Sequence, residues 1–403
     1  MIIDYWRFAS HNWKHLLFGV LLIALSCFGQ TFYISLFGEH LRGDFELSNT
    51  GFGSLYAMAT IASAFTLTWV GRLIDKTSVE RFTAGVAILL ASACTLMAAS
   101  QNVAMLVVAL YLLRLGGQGL MVHTAQTTMA RAFHTNRGKA LSIAALGFPL
   151  GEAILPILVV SGMLLVGWRT TWLFGAVTVI AGAWIAVHFL PKKVADAKLD
   201  LPKHTTANAV LEPLMLWKDK RLYFTLPALL ATPFVVTGFF FHQANLAHEK
   251  GWSLTWVATC FVGYATARAV SMLAIGPTID KLGAVRILPY FLLPLGLAAS
   301  ALALFSSAYA VPFYLVAMGV SAGLSSVMAT SVWVELYGPL HLARVRSSVA
   351  AADVVASGLS PVAMGWLLDH GIPLSTQAIF CIGGLVAVSL LSRRVRALVA
   401  ARA

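Results

Sequence analysis

The chain has 403 residues, of which 59% are hydrophobic and only 11% are charged, and its mean hydropathy is +0.81. This composition leaves too little polar surface to cover a globular body in water, which excludes most soluble classes of protein. The formal net charge of +12 is spread over short clusters between apolar runs. That distribution indicates membrane topology and argues against nucleic acid as a partner.

Twelve apolar runs, each of roughly the 20 residues needed to cross a hydrocarbon core, follow one another along the chain. They are predicted at residues 14–38, 50–70, 81–99, 104–130, 139–166, 170–190, 222–247, 253–275, 285–305, 310–336, 345–368 and 374–392. The sequence therefore predicts an all-α integral membrane protein with twelve transmembrane helices. Its predicted parts are an N-terminal six-helix half (1–190), a cytoplasmic linker (191–221) and a C-terminal six-helix half with a short basic tail (222–403).

The distribution of Lys and Arg predicts the orientation of these helices. With both termini cytoplasmic, only Arg42, Arg169 and Lys250 fall in external loops, and Arg114 and Arg268 lie within helices. The rest of the 28 Lys and Arg residues are then cytoplasmic, as the positive-inside rule requires. We therefore expect a multi-pass protein of the cytoplasmic (inner) membrane, surrounded by the lipid bilayer and monomeric.

The two predicted halves have the pattern of a duplication. The segment Gly71-Arg-Leu-Ile-Asp75-Lys76 follows the second helix, and Gly276-Pro-Thr-Ile-Asp280-Lys281 follows the eighth. Further matches at similar spacing pair Tyr111 with Tyr314, Gly116 with Gly319, Arg137 with Arg344, Lys139 with Arg346 and Gly151 with Gly358. Matches in one order along the chain favour two pseudo-symmetric halves, the arrangement expected of a secondary transporter with its site at their interface.

These motifs resemble those of the major facilitator superfamily. GRLIDK and GPTIDK resemble its G-x-x-x-D-[RK] signature, and Arg114 in LLRLGGQG resembles its helix-4 arginine. The phrases GQGLMVHTAQTTMARAF, NRGKALSI and GWRTTWLFGAV, together with the helix-8 Arg268, are most similar to the oxalate/formate and monocarboxylate transporter branch.

The resemblance covers essentially the whole chain and implies the major facilitator fold. It also implies that the loops after helices 2 and 8 gate the transporter, through the residues Gly71, Asp75, Lys76, Gly276, Asp280 and Lys281. An alternative interpretation of Asp75 and Asp280 is the capping of a helix N-terminus at the membrane surface.

Four charged residues lie inside the predicted helices, where each needs a partner, a water-filled cavity or a function. They are Arg114, Glu152, Arg268 and Asp353. Arg114 and Glu152 have similar depths on consecutive helices, so they either form an ion pair or handle the proton or the substrate. Asp353 either carries the coupling proton or is a helix-end residue that reaches the membrane surface.

Arg268 is the predicted anchor for a substrate carboxylate. It lies near the middle of helix 8, with Tyr264 four positions before it and Ser271 three positions after it. The planar fork of a guanidinium suits bidentate recognition of a carboxylate. The alternative is a structural bridge between Arg268 and Asp353.

Further candidates for the cavity wall are Gln30, Tyr33, Ser325 and His242. Polar stripes also serve helix packing in membranes, and a His in a helix is often hydrogen-bonded for structural reasons, so both alternatives remain open. His123 follows Arg114 by nine positions, about 180° around a regular helix, and is therefore left out of the site.

No sequence feature predicts an enzyme. The chain contains no P-loop, no GxSxG, no HExxH and no Cys/His metal spacing, and no cofactor or metal is expected. We predict a proton-coupled secondary transporter that moves a small organic anion, a mono- or dicarboxylate, by alternating access. The alternatives are proton-driven efflux of a lipophilic or cationic compound, attracted by Glu152 and Asp353, and a transporter-like receptor or membrane enzyme without flux.

Overall fold

The computed structural model describes residues 2–133, 136–190, 216–338 and 341–400. Residues 191–215 of the predicted linker lie outside this part of the chain. Ten helices within the described ranges are long and apolar enough to cross a membrane. Two shorter apolar helices, Trp13–Gly29 and Leu293–Leu304, occur where the first and ninth spans are predicted. The predicted all-α membrane fold is thereby confirmed.

The first half of the described chain contains eleven helices, which we number in chain order. They are α1 (Ile2–His11), α2 (Trp13–Ser26), α3 (Thr31–Leu36), α4 (Gly38–Asp44), α5 (Asn49–Val70), α6 (Val79–Ala99), α7 (Val103–Leu113), α8 (Val122–Ala132), α9 (Arg137–Ala145), α10 (Gly147–Val166) and α11 (Trp168–Phe189). A π-helix, Arg114–Met121, joins α7 to α8, and 3₁₀ turns occupy Cys27–Gly29 and Gly71–Asp75.

Eight numbered helices follow in the second half of the described chain. They are α12 (Lys220–Phe241), α13 (Gln243–Lys250), α14 (Leu254–Leu282), α15 (Ala284–Ile287), α16 (Leu293–Leu304), α17 (Ala310–Tyr337), α18 (Leu342–Asp369) and α19 (Leu374–Ala400). Helices α14 and α17 form the most extensive helix pair in the described residues.

The chain divides into two compact units. One comprises Met1–Glu46 and Met58–Ala207, and the other comprises Leu47–Ala57 and Asn208–Ala403. Helix α5 is therefore shared: its first residues belong to the second unit, and the remainder belongs to the first unit.

The prediction of one continuous helix over residues 14–38 is wrong. Helix α2 ends at Ser26, a 3₁₀ turn follows, and Gln30 is extended with φ −85° and ψ 154° before α3 begins. Likewise, the predicted helix at 222–247 is interrupted at His242, which has φ −100° and ψ 21°. Hydropathy detects a long apolar run but not a local change of backbone direction, because the surrounding helices can satisfy the freed backbone groups.

The second predicted gating loop is helical. Helix α14 continues to Leu282, so Gly276, Asp280 and Lys281 lie in its last turns rather than in a loop after residue 275. The helix ends at Gly283, whose φ of +83° suits a residue without a side chain. The prediction of a loop at this position is therefore corrected. Pro277 does not end the helix at this position.

Candidate functional site

Arg114 is bound to the break in the first transmembrane segment. Its Nη1 donates a hydrogen bond to the carbonyl oxygen of Gly29, at 3.0 Å, and the residue is only 2% exposed. The backbones approach closely at this point, because a Cβ added to Gly117 would lie 2.6 Å from the Cα of Gly29. Arg114 thus satisfies a carbonyl that the break removes from regular helical bonding.

Glu152 lies beside the same break. It is 4% exposed on α10, and a Cβ added to the preceding Gly151 would lie 2.5 Å from Sγ of Cys27. The structure therefore brings Arg114 and Glu152 to the same short segment, Cys27–Gln30, from two different helices. The direct ion pair between these two residues stays a prediction.

The two candidates within the broken segment have different surroundings. Gln30 is extended and partly exposed between the 3₁₀ turn and α3. Tyr33 is 1% exposed, and its ring lies 4.9 Å from that of Phe28, 5.6 Å from that of Phe37 and 5.1 Å from that of Trp172, measured between centroids. The position of Tyr33 in this aromatic cluster supports a packing role.

The candidate residues around Arg268 on α14 lie along the contact between α14 and α17. Tyr264 and Ser271 are buried, and Ser271 Oγ donates to the carbonyl oxygen of Arg268 or of Val320, each at 3.2 Å. A Cβ added to Gly323 would lie 2.5 Å from the carbonyl oxygen of Arg268, so the two helix backbones are nearly in contact. Arg268 itself is partly exposed, as is Ser325 two positions beyond Gly323.

Asp353 is exposed on α18. Among the residues that the structure describes, its side chain forms neither a hydrogen bond nor an ion pair. The bridge from Asp353 to Arg268, one of the alternatives drawn from the sequence, is therefore not formed here.

His242 occupies the interruption between α12 and α13. It is 3% exposed, and its Nε2 lies 2.9 Å from the carbonyl oxygen of Pro361, which only an N–H of the ring can satisfy. The bond links the interruption to α18 within the second unit. This geometry supports a structural histidine, the alternative that the sequence left open.

The first predicted gating segment is held at both of its ends by α8. Asp75 forms an ion pair with Arg131, and Nε2 of His123 donates to the carbonyl oxygen of Gly71 at 3.1 Å. Lys76 is exposed. Sequence reasoning missed both partners. His123 was set aside on the geometry of a regular helix, but the π-helix at Arg114–Met121 changes the rotation between Arg114 and His123.

Among the residues that the structure describes, the second predicted gating segment has different contacts. Asp280 and Lys281 are exposed on the last turn of α14, and Gly276 is partly exposed one turn earlier. The charged residue that α17 contributes nearby is Glu335, whose Oε2 accepts from the backbone N–H of Ala284 at 2.5 Å and of Val285 at 3.2 Å. Glu335 therefore caps the N-terminus of α15.

Comparison with known proteins agrees with the fold. The sequence matches the Major Facilitator Superfamily over residues 19–259 and 242–400. No curated protein matches the chain in sequence. A mutant of the nucleoside transporter NupG is similar in structure, with a TM-score of 0.75 and 13% identity over 95% of this chain and 99% of that one.

A bacterial homologue of the human lysosomal transporter Spinster, in an inward-facing and occupied conformation, is also similar. Its TM-score is 0.69 and its identity 14%, over 96% of each chain. At such identities the likeness shows the fold alone, whereas the family match spans nearly the whole sequence. The chain belongs to the Major Facilitator Superfamily of membrane transporters.

Proposed function

We propose that this protein is a secondary active transporter that moves a small organic anion, a mono- or dicarboxylate, by alternating access and in a proton-coupled manner. The contrast between its two intramembrane arginines supports this proposal. Arg114 is only 2% exposed, whereas Arg268 is partly exposed midway along α14. A partly exposed guanidinium can bind a carboxylate through two parallel hydrogen bonds.

The surroundings of Arg268 suit a polar ligand that still needs apolar packing. Tyr264 lies one turn away, with its ring 5.1 Å from that of Phe240, and Ser325 lies on the adjoining α17. In this proposal Arg268 binds the carboxylate and Ser325 offers a hydroxyl. Gln30, at the break of the first transmembrane segment, is the corresponding polar candidate in the first unit.

The exposure of the two candidate carboxylates decides which of them we assign to the coupling proton. Glu152 is 4% exposed beside the break that holds Arg114, whereas Asp353 is exposed on α18. We assign proton exchange to Asp353 and a supporting position to Glu152. A carboxylate within a membrane segment marks a proton pathway by default, and only an accessible carboxylate exchanges its proton readily.

The remaining predictions concern placement in the cell. The surplus of Lys and Arg on one side favours a cytoplasmic (inner) membrane protein with both termini inside. We propose a monomer with two six-helix halves, residues 1–190 and 222–403.

The alternative function is proton-driven efflux of a lipophilic or cationic compound. The exposed carboxylate of Asp353 favours it, because that side chain could attract a positive charge. The likeness to a nucleoside transporter concerns the fold, at 13% identity, and gives no substrate for this chain.

A thermal-stability screen of the purified protein separates the two functions. The probes are lactate, oxalate and succinate on one side and tetraphenylphosphonium on the other, each tested on the parent, on Arg268→Gln and on Arg286→Gln. A ligand at a hundred times its dissociation constant stabilises the fold by about 2.7 kcal/mol. We expect a carboxylate to stabilise the parent and Arg286→Gln, an exposed control, but not Arg268→Gln. Stabilisation of all three proteins by the cation alone would contradict the proposal.

A further inference from the structure

Asp369, the last residue of α18, holds the first turn of α5. Its Oδ1 accepts from the backbone N–H of Asn49 at 3.1 Å and from Nδ2 of Asn49 at 2.8 Å. Its Oδ2 accepts from the backbone N–H of Thr50 at 2.8 Å and from Oγ1 of Thr50 at 2.6 Å. One carboxylate therefore satisfies four donors, two of them at the N-terminus of a helix that lacks intrahelical partners for them.

The negative charge of Asp369 interacts differently with the dipoles of α18 and α5. A negative charge at the C-terminal end of α18 opposes the dipole of that helix, whereas the same charge at the N-terminal end of α5 is favourable. Asp369 thus contributes to the attachment of α5 rather than to its own helix. The Asp369 side chain is exposed, so water can replace its hydrogen bonds if α5 and α18 separate.

The start of α5 also contacts other residues of the second unit. Nδ2 of Asn245 donates to Oδ1 of Asn49 at 2.6 Å, and a Cβ added to Gly365 would lie 2.7 Å from the carbonyl oxygen of Asn49. Residues 47–57 belong to the second unit, whereas the rest of α5, from Met58, belongs to the first unit. Helix α5 therefore has attachments in both units.

We propose that Asp369 is a gating residue of the transport cycle. Its bonds to Asn49 and Thr50 hold the start of α5 against α18 while the predicted external side is closed, and they break when that side opens. This inference rests on the alternating access of the proposed function, and it does not depend on the substrate class.

The test measures how fast a buried position on α5 reacts with a membrane-impermeant maleimide in whole cells. Ala57, which is 5% exposed and lies two turns beyond Asn49, is replaced by Cys after the four native cysteines have been replaced. Asp369→Asn is expected to raise the labelling rate about tenfold, because it removes charge-assisted hydrogen bonds that favour the closed arrangement.

Glu249→Gln is the matched control. Glu249 also caps a helix, since its carboxylate accepts from the backbone N–H of Leu374 at 2.6 Å and of Ser375 at 3.0 Å. The helix that these residues begin, α19, lies wholly within the second unit, whereas α5 continues into the first unit. This variant is expected to label at the parent rate. Thr50→Val, which keeps the shape of the residue and removes one donor, is expected to raise the rate less than Asp369→Asn. It should add nothing to Asp369→Asn in the double variant.

Two outcomes would overturn the inference. Labelling of Asp369→Asn and Thr50→Val at the parent rate would show that the contact does not hold α5. An equal rise in Glu249→Gln would show general loosening rather than gating. Faster labelling of Asp369→Asn, together with no stabilisation of the parent by carboxylates, would support the gating role of Asp369 and reject the proposed substrate class. Unchanged labelling together with carboxylate binding would reject the gate alone.

Discussion

Arg131 and Glu335 carry opposite charges, and each lies near the C-terminal end of its helix, α8 and α17 respectively. Arg131 forms an ion pair with Asp75, whereas Glu335 accepts hydrogen bonds from the backbone of Ala284 and Val285. The end of α8 thus restrains a signature aspartate in the first half, whereas the end of α17 caps a short helix in the second half. The two signature segments are therefore not equivalent.

Asp75→Asn should impair transport more than Asp280→Asn. The Asp75 and Arg131 side chains are 34% and 19% exposed, so their ion pair contributes only about 0.2–1 kcal/mol to stability. A shift of that size in a conformational equilibrium changes a rate by up to about fivefold. We expect such a loss of initial uptake for Asp75→Asn, without a change in the unfolding temperature. Equal losses in both variants, or no recovery in the charge-exchanged pair Asp75→Arg with Arg131→Asp, would contradict this role.

Glu335→Gln should lower the stability of the protein. The change weakens the cap of α15, and the loss of a helix cap costs about 0.5–2 kcal/mol. Thermal unfolding of the purified variant is the measurement, and Asp280→Asn, an exposed residue on the preceding helix, is the control. An unfolding temperature equal to that of the control would show that the cap is not stabilising.

Arg114→Gln should destabilise the fold more than Arg268→Gln. Removal of the buried guanidinium leaves the carbonyl oxygen of Gly29 without its hydrogen bond, and a buried acceptor left unsatisfied costs about 1–3 kcal/mol. Replacement of a partly exposed group costs about 1 kcal/mol or less. Unfolding temperatures measured without ligand decide between these outcomes. If Arg268→Gln proves as unstable as Arg114→Gln, Arg268 is a structural residue and not a ligand anchor.

Tyr33→Phe should be nearly neutral for stability, whereas Tyr33→Ala should cost about 3–5 kcal/mol. The reason is the aromatic cluster, in which the ring of Tyr33 contacts those of Phe28, Phe37 and Trp172. Thermal unfolding of both variants is the check. A large loss in Tyr33→Phe would instead mean that the hydroxyl carries the contribution.

The fold could be predicted from the sequence because it depends on averages. Twelve apolar runs of sufficient length correspond to the ten long and two shorter apolar helices of the described residues, and the repeated GRLIDK and GPTIDK indicate the family resemblance. The length of an apolar run predicts a membrane span whatever the exact path of the backbone within that span.

The details of the site could not be predicted because they depend on that path. The break at Cys27–Gln30 arises where Gly29 meets Gly117, a contact between residues far apart in sequence. The π-helix after Leu113 changes the direction in which His123 points. Asp369 was missed because His370 and Gly371 after it have the pattern of an ordinary helix end. The available signal was its negative charge in the last turn of a helix, where the helix dipole disfavours a carboxylate.

Uptake of labelled oxalate and lactate into proteoliposomes under an imposed pH gradient tests directly whether Arg268 anchors a transported carboxylate. We expect accumulation driven by protons in the parent and in Arg286→Gln. We expect loss of most of this uptake in Arg268→Gln, and partial loss in Arg268→Lys, where the charge remains but the bidentate fork does not. Carboxylate uptake by Arg268→Gln at the parent rate, or flux of a lipophilic cation alone, would contradict carboxylate transport through Arg268.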